Sequence, residues 1–133
     1  GHVGDSRAYL VSDGVIEQIT LDHSLVAELL RKGSISEREA LQHPQKNVIT
    51  RALGTDENLK PDIYTVEYDE HDILVLCTDG LSNFVDKYEL ERCILETEDS
   101  QVCCDELVNL ANQRGGFDNI TLIIVKNNNE IDR

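Results

Sequence analysis

The sequence predicts an α+β fold in which a sheet layer is covered by helices. Three observations point there. Ile73–Cys77 and Ile120–Val125, the latter interrupted by Thr121 alone, are apolar runs of strand length, the pattern of strands buried on both faces. Leu90, Cys93 and Ile94, then Cys103, Leu107, Leu110 and Ala111, recur at helical spacing and give two amphipathic helices. Asp13-Gly14 separates two short strand-like stretches, the signal of a β-hairpin.

In chain order, His2–Val11 and Val15–Thr20 are the hairpin strands. The period changes at Asp22: Leu25, Val26, Leu29 and Leu30 form a helical stripe, and Gly33 is placed to end it. Ser36-Glu37-Arg38-Glu39 is a capping box for a short helix that His43-Pro44 keeps short. Ile63–Tyr68 alternates apolar and polar residues, which predicts a half-buried strand, and Asp69–Asp72 turns the chain into Ile73–Cys77. Asp86 with Glu89 is a second capping box, with Val85 stapled onto Leu90. A further helix follows Ser100 and ends at Gly115. Residues 127–133 are a polar tail. No repeat or linker divides the chain, so residues 1–133 read as one domain.

The chain has 133 residues, 40% hydrophobic and 29% charged, enough for one core and ordinary for a globular protein. Its formal charge of −14 opposes nucleic acid and anionic lipid as partners. No apolar run approaches the roughly 20 residues of a membrane span. Cys77, Cys93 and Cys103 fall at apolar positions, where thiols pack as small hydrophobes, and no Cys/His spacing suggests zinc. Reduced thiols and a cytoplasmic location follow.

Two acidic motifs carry the chemistry. Ile73–Cys77 stops at Thr78-Asp79-Gly80, and Gly115-Gly116-Phe117-Asp118-Asn119 leads into Ile120–Val125. Each sets a carboxylate at the end of an apolar strand, where a lone negative charge is costly and a divalent cation relieves it. Asp-Gly and Asp-Asn are also ordinary turn dipeptides, and either motif alone favours that reading. A third acid, Asp5, lies in Gly4-Asp5-Ser6-Arg7; strand alternation would put it on one face with Val3, Arg7 and Tyr9, where pairing with Arg7 competes with metal binding.

Gly4-Asp5-Ser6-Arg7, Thr78-Asp79-Gly80-Leu81-Ser82 and Gly115-Gly116-x-Asp118-Asn119, in that order, resemble the PPM family of metal-dependent protein serine/threonine phosphatases (type 2C). Asp22-His23-Ser24-Leu25, and His43-Pro44 followed by Asn47–Gly54, resemble its bacterial branch. The resemblance runs from Gly1 to about Lys126. It implies part of a four-layer αββα sandwich, two antiparallel sheets flanked by helices, of which this chain is the C-terminal half. The sequence starts at Gly1 and contains no Asp-Gly-x-Gly-Gly pattern. The first half, expected to hold another acidic ligand and a phosphate-binding arginine, is therefore expected to lie outside these residues. Asp79 and Asp118 match the family's ligands for a pair of Mn²⁺ or Mg²⁺ ions, Asp5 matches a ligand of a further, weaker metal, and Asn83 falls where some relatives carry another Asp. About 34–47 match a mobile flap.

The activity implied is hydrolysis of phosphoserine and phosphothreonine in proteins by metal-activated water, with no side-chain nucleophile. Implied partners are phosphoproteins, substrates of a cognate Ser/Thr kinase. The alternative is a truncated, non-catalytic binding module. An acidic Ca²⁺-binding domain lacks the Asp-x-Asp-x-Asp-Gly loop it needs. By itself the 133-residue chain is expected to be inactive and, with a sheet face left open, to self-associate. His2, His23, His43 and His71 lack mutual ligand spacing and read as surface or capping residues, and Arg7 and Arg51 as structural partners of carboxylates.

Overall fold

The computed structural model describes residues 1–127. The polar tail expected at 127–133 thus lies, apart from Asn127, outside the described residues. The chain forms two compact units: Gly1–Ser6 with Thr20–Thr65, and Arg7–Ile19 with Val66 onward.

The second unit holds the sheet. Strands β1 (Arg7–Ser12), β2 (Val15–Gln18), β3 (Ile73–Cys77) and β4 (Leu122–Lys126) lie in the order β2-β1-β3-β4, each neighbouring pair antiparallel. Asp13 and Gly14, at φ 51° and 76°, make the β1–β2 turn, a conformation that Asp and Gly tolerate best. One face of the sheet carries Tyr9, Val11, Ile16, Val75 and Cys77 into a core shared with Leu81, Val85, Leu90, Ile94, Cys103, Leu107 and Ala111. Helices α3 (Asp79–Ser82), α4 (Lys87–Glu96) and α5 (Ser100–Gln113) supply that second set, with Val85 from the turn between α3 and α4. Most intrinsic preferences in α5 are weak, with Val, Asn, Cys and Ser throughout. Full burial of Cys103, Leu107 and Ala111 holds it instead, at about 1.5–3 kcal/mol for a side chain the size of Leu.

Polar groups finish the elements where the ladder cannot. Asp86 accepts from the backbone N–H groups of Tyr88 and Glu89, and the Glu89 carboxylate accepts from Asp86 N–H, so the expected capping box opens α4. Glu91 of α4 accepts from Ile16 N–H on edge strand β2 at 2.8 Å, which satisfies a donor that strand pairing leaves over. Lys126 Nζ donates to the Thr97 and Glu98 carbonyls just beyond α4.

Three expectations need correction here. The strands β3 and β4 are buried on one face only: Leu76, Ile123 and Val125 on the other are 39%, 50% and 43% exposed. Ile63–Tyr68 forms no strand, and Ile63, Val66 and Tyr68 are exposed. Alternation marks which side would be apolar, but a strand also needs a neighbour for its N–H and C=O groups. The first strand is shorter than His2–Val11 and begins at Arg7. Gly4 has φ +107°, outside strand geometry, so Asp5 does not share the alternation of Arg7 and Tyr9. Asp79 and Gly80 open α3, with Thr78 at its N-cap position.

The first unit contains α1 (Leu25–Arg31) and α2 (Glu37–Leu41). Ser24 caps α1 through Ala27 N–H, Gly33 (φ 69°) follows it, and the Ser36–Glu39 capping box opens α2 as expected. Of its apolar side chains only Val26 and Ala40 are buried among the described residues. Backbone bridges His2–Asp62 and Ser24–Ile49 tie the unit instead.

Candidate metal centre

Asp79 and Asp118 belong to the second unit, on segments that run together at one end of its sheet. Beyond the last β3–β4 pair, Cys77 with Leu122, Thr78 N–H donates to the Thr121 carbonyl at 3.1 Å. Thr121 N–H returns a bond to Thr78 Oγ1 at 3.0 Å. One residue on, the chain at Gly80 lies against the backbone of Asn119: a Cβ built on Gly80 would stand 2.2 Å from the Asn119 carbonyl oxygen. Only glycine permits that approach, and it puts the segments bearing Asp79 and Asp118 side by side. Asp79 is half-exposed and Asp118 exposed, so both carboxylates are open to solvent. Asp118 Oδ1 accepts from Asn119 N–H at 2.7 Å.

The segment before Asp118 is anchored from the helices. Arg114 makes a two-pronged pair with Glu89, at 2.6 and 2.7 Å, and also donates to the Phe84 carbonyl. The Arg114 guanidinium, followed by the Asp86 N–H, pulls the Glu89 carboxyl down to about 2. Thus the start of α4 and the end of α5 share one carboxylate, and the chain leaves this clamp through Gly115 and Gly116 to reach Asp118. The Phe84 and Phe117 rings lie 6.3 Å apart over that exit.

Carboxylate oxygens are the donors hard divalent cations take. Among the described residues no group of three or more His, Cys, Asp or Glu side chains stands close enough to hold a metal ion. Asp79 and Asp118 thus fit a Mn²⁺ or Mg²⁺ site in donor chemistry and offer part of a ligand set.

Asp5 belongs to the first unit, half-buried beside Gly4. Gly4 is held on both sides by His23: its N–H donates to His23 Nδ1 at 3.0 Å, and its carbonyl accepts from His23 N–H at 2.8 Å. His23 Nε2 meets Asp62 Oδ2 at 2.7 Å, and Arg51 binds Asp62 Oδ1 at 2.9 Å. This corrects the surface reading of His23, which is 2% exposed, and gives Arg51 its carboxylate. Sequence alone offered no signal for Asp62, since its partners are 39 and 11 residues away.

Hydrogen bonds from His23, then Arg51, lower the Asp62 carboxyl from 3.8 to about 2. A carboxylate with a depressed folded pKa contributes stability that is complete above its unfolded value and is lost as pH falls through the folded one. The first unit should therefore loosen between about pH 4 and 2. In an NMR titration the Gly4 amide should shift with a midpoint near 2, and Asp62→Asn should flatten that response. A midpoint at the ordinary Asp value would show that the network contributes nothing.

Comparison with known proteins places this geometry. The protein phosphatase 2C family model matches residues 1–120. The serine/threonine phosphatase stp of Listeria innocua serovar 6a is 43% identical over 127 residues, 96% of this chain and 50% of that protein. A serine/threonine phosphatase structure from S. agalactiae superposes with a TM-score of 0.87 at 39% identity, over 94% of this chain and 52% of that one. The catalytic domain of the phosphatase PstP, solved with two manganese ions, superposes with a TM-score of 0.82 at 35% identity, over 92% of this chain and 50% of that one. The chain spans about half the length of the relatives it matches. With its antiparallel sheet backed by helices and its two strand-end aspartates, this chain belongs to the protein phosphatase 2C family.

Proposed function

We propose that these residues are part of the catalytic domain of a bacterial phosphatase that hydrolyses phosphoserine and phosphothreonine in proteins, with Mn²⁺ or Mg²⁺ as cofactor. The observation that carries the reading is the approach of the Asp79 and Asp118 segments at one sheet end within a phosphatase-family chain. The relative solved with two manganese ions supports the choice of metal. Asp79 and Asp118 serve as ligands of a metal pair, and Asp5 as ligand of a further metal. When bound, such a pair acidifies a water and offsets charge on the phosphoryl oxygens. This chain's own residues hold the ligand-bearing segments still: the Thr78–Thr121 bonds and the Gly80 contact set one segment against the other, and the Arg114–Glu89 clamp fixes the approach to Asp118. Residues 34–47 act as a mobile flap. The substrates are phosphoproteins made by a cognate Ser/Thr kinase in the cytoplasm, in keeping with the absence, among the described residues, of a helix long and apolar enough to cross a membrane.

The test is Mn²⁺-dependent release of phosphate from a phosphothreonine peptide by the full-length protein. Phosphopeptide binding without turnover would favour a non-catalytic module instead. The 133-residue chain assayed alone should show no turnover, because the ligands gathered among the described residues are too few for a metal pair. Light scattering should report a dimer or larger species, as the Leu76, Ile123 and Val125 face seeks cover. Robust turnover by this chain would overturn the ligand argument, and a stable monomer the self-association.

A further inference from the structure

Cys93 on α4 and Cys103 on α5 face each other with their Sγ atoms 3.1 Å apart. A disulfide needs a separation roughly 1 Å shorter, within reach of small side-chain rotations. The two thiols differ in access. Cys103 is fully buried in the helix–sheet core, whereas Cys93 is half-exposed. Cys93 lies on a groove of about 440 Å³ between the two helices, beside Arg92, Glu96, Glu106 and Asn109. Its sulfur also lies 3.6 Å from Glu106 Oε2, an acceptor for the thiol proton. We propose that Cys93 and Cys103 form a reversible redox pair, in which a peroxide entering the groove oxidises Cys93 and Cys103 resolves it to a disulfide joining α4 to α5.

The steps balance. The Cys93 thiolate attacks one peroxide oxygen, the O–O bond breaks, and hydroxide leaves with the electron pair, so Cys93 becomes a sulfenic acid. The Cys103 sulfur then attacks the Cys93 sulfur. The S–O bond breaks, and the departing hydroxide takes the Cys103 proton to leave as water. The sulfurs lose two electrons and the peroxide gains two; a dithiol reductant reverses the change. The assignment of roles follows access, and burial, followed by the Cys93 hydrogen bond, raises the Cys103 thiol and keeps it protonated until its partner is activated. Neighbouring Cys104 is also raised by burial and is not the partner in contact. This pairing does not depend on the phosphatase reading.

The full-length protein is treated with graded hydrogen peroxide, alkylated, digested without reductant and analysed by mass spectrometry. Two of the four thiols of this chain should be lost, with one intramolecular Cys93–Cys103 link that dithiothreitol reverses. Cys93→Ser should abolish the link and Cys104→Ser leave it intact. A link through Cys104, links between molecules, sulfinic acid at Cys93 without a link, or an unchanged thiol count would each overturn the proposal.

Discussion

Asp79→Asn and Asp118→Asn should each lower Mn²⁺-dependent turnover of the full-length protein by on the order of 10²–10³ or more, with the fold intact. An amide keeps the size of the carboxylate and removes its charge, so the variant loses metal, and with it the charge stabilisation that phosphoryl transfer requires. Stability should move the other way. In the proposed ligand roles two like charges share one cation site, and removing one of them relieves repulsion in the metal-free protein. Melting of the metal-free variants should therefore match or exceed that of the parent. Asp5→Asn, acting on a separate and weaker site, should chiefly raise the Mn²⁺ concentration needed for half-maximal rate. Near-normal turnover of the Asp118 variant at limiting Mn²⁺ would remove Asp118 from the ligand set.

Gly80→Ala tests the scaffold instead of the ligands. Gly80 lies within α3, where replacing Gly by Ala ordinarily stabilises a helix by about 0.5–1 kcal/mol. Here the added methyl would meet the Asn119 carbonyl oxygen at 2.2 Å and its carbon at 2.9 Å, both backbone atoms that cannot rotate aside. The sign should reverse, to a loss of about 1–3 kcal/mol in urea unfolding. Activity should fall further than stability, because the Asn119 segment carries Asp118 with it, and a shift of roughly 1 Å in a catalytic group costs about 10²-fold. A stabilised Gly80→Ala variant with full turnover would show that the close approach has no bearing on the site.

What the sequence disclosed depended on distance along the chain. The Asp13-Gly14 turn and the boxes at Ser36–Glu39 and Asp86–Glu89 are local, each satisfying N–H groups within three residues, and they stand where expected. The Ile63–Tyr68 strand failed because its existence turns on a neighbour that alternation does not encode. His23 was misplaced for a related reason: what buries it is Gly4, 19 residues away, and Asp62, 39 away. The two strand-end aspartates were legible as ends of apolar runs. The contact that sets their segments side by side, Gly80 against Asn119, spans distant parts of the chain and is not encoded in spacing. Family resemblance supplied the link that spacing lacked.

The Thr78 hydroxyl has a consequence for how the strands find one another. Ile73–Cys77 and Leu122–Val125 are apolar on both sides, so over that stretch sliding β4 by one residue along β3 would exchange apolar side chains for apolar side chains. Hydrophobicity therefore distinguishes the two alignments poorly. Such a slip would carry the Asp118 segment about 3.4 Å along β3. Only the observed alignment lets Thr78 bond Thr121 through both its amide and its hydroxyl while a side-chain-free Gly80 meets Asn119. Contacts at the mouth of the candidate centre thus arbitrate the phase of the sheet, and a chain that pairs out of phase would lose these hydrogen bonds and the alignment of the Asp79 and Asp118 segments together.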